Sequence, residues 1–86
     1  MIEVNYSKKF LKMFKALDAD LQDRVEERIE QFKKKENHKA LEVHKLRGDL
    51  KDLYSFSVDR KNRILFEYMD TKSEVVLLIL GGHDIY

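Results

Sequence analysis

From Asp52 to Leu80 the chain reads DLYSFSVDRKNRILFEYMDTKSEVVLLIL, and this stretch decides the fold. Asp52 to Val58 alternates, with Tyr54, Phe56 and Val58 on one side and Leu53, Ser55 and Ser57 on the other. That is the period of a half-buried strand. Asp59-Arg60-Lys61-Asn62 reads as a turn and Arg63 to Met69 as the returning strand; Asp70-Thr71-Lys72-Ser73 is a second turn. Glu74 to Leu80 is β-branched and apolar, the pattern of a strand covered on both faces. Turns this short join neighbours, so the three strands form an antiparallel meander.

Working toward the N-terminus, Ile2-Glu3-Val4-Asn5-Tyr6 alternates as a further strand. Ser7 is an N-cap for a helix over Lys8 to Leu17, in which Phe10, Leu11, Phe14 and Leu17 form one apolar stripe. Asp18-Ala19-Asp20 breaks that pattern and caps a second helix. Leu21, Val25, Ile29 and Phe32 mark its buried stripe, and it runs to about Lys35. Glu26, Glu27 and Glu30 suit a solvated outer face, and Glu30 stands three residues from Lys33 and four from Lys34. Two helices joined this closely make an antiparallel hairpin. Each has one apolar stripe, so the pair must lie across the sheet. The expectation is an α+β chain of order β-α-α-β-β-β, a helical hairpin on a small antiparallel sheet.

The 86 residues suit one domain, 1–86, because a second core would need roughly another hundred. Charged residues at 38% and hydrophobic ones at 43% speak for a soluble, folded chain rather than a disordered one. The absence of Cys excludes a disulfide scaffold, thiolate metal sites and a Cys nucleophile. No apolar run nears the roughly 20 residues of a membrane span. The start, Met1 to Tyr6, has no basic segment before an apolar one, so the expected location is cytoplasmic.

Net charge is only +1, but it is unevenly spread. Lys45, Arg47, Lys51, Arg60, Lys61 and Arg63 outnumber Asp49, Asp52 and Asp59 in one stretch, while Asp18, Asp20, Asp23, Glu26, Glu27 and Glu30 crowd another. Either the molecule has a basic and an acidic face, or these are two ordinary solvated surfaces.

Several chemistries are poorly served. His38, His44 and His83 form no pair at metal-ligand spacing, and Glu36-x-His38 and Glu42-x-His44 are pairings common by chance. Asp18-x-Asp20-x-x-Asp23 lacks the Gly and the closing Glu of a calcium loop, and helix capping explains it better. No Ser lies in a nucleophile elbow and no Gly-rich loop offers a phosphate cradle. No metal and no cofactor is expected.

The remaining signal is distributed: His44-Lys45-Leu46-Arg47-Gly48, then Leu53-Tyr54-Ser55, then Asn62-Arg63-Ile64-Leu65-Phe66, then Leu78-Ile79-Leu80-Gly81-Gly82-His83-Asp84-Ile85-Tyr86. In this order and at this length the sequence resembles the RelE/ParE superfamily of toxins from toxin–antitoxin modules, over essentially the whole chain. The resemblance implies helices packed on a twisted antiparallel sheet. In the RelE branch it implies a metal-independent endoribonuclease acting on messenger RNA in the ribosome, and so blocking translation. Side chains there activate the ribose 2′-hydroxyl, stabilise the in-line phosphorane and protonate the 5′-oxygen. In the ParE branch the fold inhibits DNA gyrase by binding alone.

Carried over residue by residue, the resemblance gives Arg63 the family's arginine position, where a guanidinium grips two phosphate oxygens; the alternative is a surface ion pair with an acid such as Asp52. His83 matches the terminal histidine, a proton donor or acceptor at neutral pH, or else a polar strand end. Tyr86 matches the terminal aromatic, stacking on a base or folding back on the core. His44 matches a histidine that assists proton transfer, or else holds a loop. Glu42, two residues away, is a base if nearby arginines keep it ionised, or else simply a solvated acid. Lys45, Arg47, Lys51, Arg60 and Lys61 are expected to hold RNA phosphates, or simply to face solvent.

The implied partners are a cognate antitoxin protein, the ribosome and mRNA, with no membrane. The rival readings are a ParE-like gyrase inhibitor and an inactive relative that only binds antitoxin. The joint presence of Arg63, His83 and Tyr86 favours the nuclease.

Overall fold

A computed structural model describes residues 1–50 and 52–82. Lys51, His83 and Tyr86, three of the expected site residues, lie outside the described residues. The elements are β1 (Glu3–Tyr6), α1 (Lys8–Lys15), α2 (Ala19–Phe32), β2 (His44–Lys45), β3 (Tyr54–Ser57), β4 (Arg63–Tyr68) and β5 (Glu74–Gly81), with short 3-10 turns at Lys35–Asn37 and Gly48–Leu50. The strands form one sheet in the order β1-β5-β4-β3-β2.

The α+β class, the two helices and the meander β3-β4-β5 stand as expected. The sheet is mixed rather than antiparallel throughout, because β1 pairs parallel to β5, with Val4 opposite Val75. Alternation in β1 fixes which face its side chains take but says nothing about its partner. The added strand β2 is two residues long, too short for any period to show.

Both helices begin where capping chemistry starts them. Ser7 Oγ accepts from Phe10 N at 3.0 Å, and Asp18 Oδ1 accepts from Leu21 N at 2.8 Å. Ser7 Oγ also donates to Leu78 O at 3.2 Å, tying α1 to β5. That contact falls at a bulge, where Leu65 pairs with Ile79 and Phe66 with Leu77, leaving Leu78 unopposed. The α2 stripe is buried as its period requires, with Val25, Ile29 and Phe32 against the sheet. Phe32 is the keystone: its ring stacks on Phe56 at 4.4 Å and meets Phe66 edge-on at 4.9 Å. On α1, Phe10 is buried while Leu11, expected in the same stripe, is 42% exposed at the rim of a groove between the helices.

Phe56, Ile64, Phe66, Val75 and Leu77 thus face the helices. Neighbouring residues on the same strands face the other way, toward a face that carries no helix and is open around Arg63 and His44, although Ser55 and Leu65 at its centre are fully buried. The expectation that β5 is covered on both faces is corrected here: Val76, Leu78 and Ile79 are only partly buried. Both helices were drawn to one side, because each has a single apolar stripe.

Candidate functional site

Strand register gathers the site on the open face. Across the β3–β4 hairpin, Ser57 pairs with Arg63 and Ser55 with Leu65, and across β2–β3, His44 pairs with Ser55. Directly opposed residues share a face, so His44, Ser55, Ser57 and Arg63 all lie on this side. The hairpin turn fixes that register. Asp59 Oδ1 accepts from Asn62 N at 2.7 Å and from Lys61 N at 2.8 Å, so the strand restarts at Arg63. Burial opposes ionisation of Asp59, but these donors and Arg24 outweigh it and hold its carboxyl below the usual carboxylate range.

Arg63 is half-buried, and neutral oxygens orient its guanidinium. Nη1 donates to Ser57 Oγ at 3.0 Å; Nε and Nη2 each reach Ser55 Oγ at 3.4 Å, and Nη2 reaches the Glu42 carbonyl at 3.4 Å. Asp52 is not its partner: among the described residues no ion pair engages Arg63, and Asp52 lies at the far end of the hairpin, lining a depression with Tyr54 and Tyr68. A guanidinium held by hydroxyls and a carbonyl keeps its full charge for an anion.

His44 is exposed, and its Nδ1 lies 2.9 Å from the same Glu42 carbonyl. A carbonyl only accepts, so this contact puts the proton on Nδ1 and leaves the Nε2 lone pair outward in the neutral ring. The Glu42 carboxylate accepts from Ser57 Oγ at 3.1 Å, so Ser57 links it to Arg63. Glu42 has φ +57°, the one non-glycine among the described residues with a positive φ.

The other expected residues divide. Arg60 and Lys61 are exposed on the turn leading into Arg63. Arg47 is exposed beyond β2. Lys45 pairs with Tyr54, on the opposite face from His44, and lines the depression beside Asp52, Glu67 and Asp70. Arg63 itself pairs with Gly81, two positions before His83 in the chain. His38 is spoken for: its ring stacks on Phe32 at 4.7 Å and its Nε2 lies 2.8 Å from Phe32 O. Among the described residues no group of three His, Cys, Asp or Glu is placed to hold a metal ion. Nor is any helix among the described residues long and apolar enough to cross a membrane.

Sequence reasoning missed the two serines that hold Arg63. Their signal was present: alternation set Ser55 and Ser57 on one side, and a turn at 59–62 places Ser57 opposite Arg63.

No family model and no curated protein sequence matches this chain. Solved structures do. The YoeB–YefM complex from Staphylococcus aureus aligns with a TM-score of 0.73 at 13% identity, covering 96% of this chain and 98% of that one. The archaeal RelE–RelB complex from Pyrococcus horikoshii aligns at 0.72 with 19% identity, covering 94% and 93%. A YoeB/ParE toxin from Agrobacterium tumefaciens aligns at 0.68 with 12% identity, covering 95% and 99%. The chain has the RelE/ParE toxin fold. The likeness spans nearly the full length of both partners in each case, so the RelE-type topology, its mixed sheet included, is that of the chain as a whole. At these identities the fold does not carry an activity with it; the chemistry rests on the side chains just described.

Proposed function

We propose that this chain is the toxin of a toxin–antitoxin module and acts as a metal-independent, ribosome-dependent mRNA endoribonuclease that blocks translation. The observation that carries this reading is Arg63: on the open face of a RelE-type sheet, its guanidinium is fixed by Ser55, Ser57 and the Glu42 carbonyl and is free of any carboxylate among the described residues. Such a group suits a phosphate whose charge grows in the transition state.

In the proposed reaction the 2′-oxygen attacks the adjacent phosphorus in line while His44 Nε2 takes its proton. Arg63 neutralises the phosphorane, and the bond to the 5′-oxygen breaks. The products are a 2′,3′-cyclic phosphate and a 5′-hydroxyl. His83 is proposed to protonate the leaving 5′-oxygen and Tyr86 to stack on or orient the reacting nucleotide. Arg60 and Lys61 border Arg63 and would steady flanking phosphates; Arg47 and Lys51 are proposed for the same task farther along. Lys45, on the other face, would act there only at a distance from the reacting phosphate.

The proposed antitoxin has a candidate surface in the groove of about 380 Å³ between the helices, where Tyr6, Phe10, Leu11, Phe14 and Ile29 are rimmed by Glu26 and Glu30. A cytoplasmic site of action follows from the proposed ribosomal substrate.

Primer extension on a message from cells expressing the chain tests the reading. Discrete cuts in translated regions, with protein synthesis falling before DNA synthesis, are expected. Uncut messages with replication failing first would select the gyrase inhibitor, and neither effect would select an inactive antitoxin-binding relative.

A further inference from the structure

Residue 42 is where backbone strain and the site coincide. At φ +57° a residue with a Cβ is strained relative to ordinary helical or extended backbone. Its neighbours impose that conformation. On one side Leu41 is buried and its carbonyl accepts from Ser57 N at 2.8 Å; on the other, Val43 N donates to His38 O at 3.0 Å. His38 is in turn locked by its stack on Phe32. With both flanks anchored to the core, residue 42 must take the left-handed turn, and the turn presents its carbonyl to the open face. One carbonyl oxygen there meets two functional groups, His44 Nδ1 at 2.9 Å and Arg63 Nη2 at 3.4 Å. Two lone pairs suffice for both.

We propose that the left-handed backbone of Glu42 is a positioning device: its carbonyl fixes exposed His44 as the Nδ1–H tautomer, freeing Nε2 for proton transfer, and aligns Arg63 from the same atom. This rests on the roles given to His44 and Arg63 under Proposed function. An exposed imidazole without such an acceptor exchanges with water and favours the Nε2–H form, which has its lone pair on the wrong nitrogen. The carboxylate of Glu42, bonded to Ser57, is not the group that sets the tautomer.

The test is nitrogen-15 NMR of the histidine rings in the full chain at about pH 8, where free imidazole is neutral. Nδ1–H is expected for His44 in the wild type and in Glu42→Gly, which keeps the carbonyl and tolerates the conformation while deleting the carboxylate. In Glu42→Val, whose branched side chain resists positive φ, the Nε2–H form is expected to dominate. Glu42→Ala replaces it if the valine variant does not fold. Nε2–H in the wild type, loss of the preference in Glu42→Gly, or its retention in a folded Glu42→Val would each overturn the proposal. In single-turnover cleavage, Glu42→Val should run about fivefold below Glu42→Gly, a modest gap because the ring still samples the productive tautomer. A wild type that cleaves no message defeats the proposed function, while the ring spectra still decide this proposal.

Discussion

The helix-side face of the sheet and its open face share the strands β3, β4 and β5, yet they are held together by different means. On the helix side Phe32, Phe56, Ile64, Phe66, Val75 and Leu77 are each essentially inaccessible and touch several of the others. Such packing is redundant and non-directional, so many sequences of the right period would satisfy it. On the open side the arrangement depends on single hydrogen bonds at single positions: Ser57 to Arg63, the Glu42 carbonyl to His44, the Glu42 carboxylate to Ser57. Most of the packing resides on the first face, and the proposed chemistry is assigned to the second. The same β-pleat delivers both, one residue apart.

The largest expected effect breaks the packed face. Phe32→Ala removes a ring stacked on Phe56 and His38 and edge-on to Phe66, and should cost about 3–5 kcal/mol in urea unfolding. Against a total of about 5–15 kcal/mol for a small domain, that leaves the variant marginal. A loss under about 1 kcal/mol would mean that the keystone lies elsewhere.

The converse experiment leaves the core alone. Arg63→Ala should lower single-turnover cleavage on programmed ribosomes by about 10²–10³-fold, the scale for losing one preorganised charge contact. Stability should change by about 1 kcal/mol, since the lost bonds are long or reach part-exposed groups, apart from those to the buried Ser55. Arg63→Lys should recover only part of the rate, because an ammonium lacks the planar fork. Full cleavage by a folded Arg63→Ala would remove this residue from the reaction.

That division also explains what could be read before any coordinates. The helix face was legible because alternation in β3 and the three-to-four spacing of Val25, Ile29 and Phe32 repeat a signal over many residues. The meander followed from its turns. Arg63 and His44 were singled out by resemblance, and the strand register places both on one face. What stayed hidden was local or non-local in the wrong way. The parallel pairing of β1 with β5 joins segments some seventy residues apart with no turn to announce it. The left-handed Glu42 occupies a conformation that glycine usually signals, and no glycine is there. The serines under Arg63 looked like the wet side of a strand because hydroxyls serve equally as surface and as anchors.

The smallest expected effect tests the joint between the two faces. Asp59 accepts the turn donors that start β4 at Arg63, and its other oxygen lies 3.8 Å from Arg24 Nη1 on α2. The ion pair is long, with Arg24 half exposed, and adds little, whereas the N–H bonds are short and charge-assisted. Asp59→Ala should therefore cost about 1 kcal/mol at neutral pH. The pH dependence has a definite sign. The folded-state pKa of Asp59 is depressed below 3.8, so between the two values the unfolded chain binds the extra proton. Its contribution is complete above the unfolded pKa and fades as pH falls through the folded one. Wild type and Asp59→Ala unfolding curves, measured in urea from neutral pH to about pH 2, should thus converge at the acid end. Asp59→Asn should separate charge from geometry, because its amide oxygen still accepts from Lys61 N and Asn62 N. If it matches Asp59→Ala at neutral pH, the charge carries the turn. If it matches wild type, the hydrogen bonds alone set the register that brings Ser57 opposite Arg63.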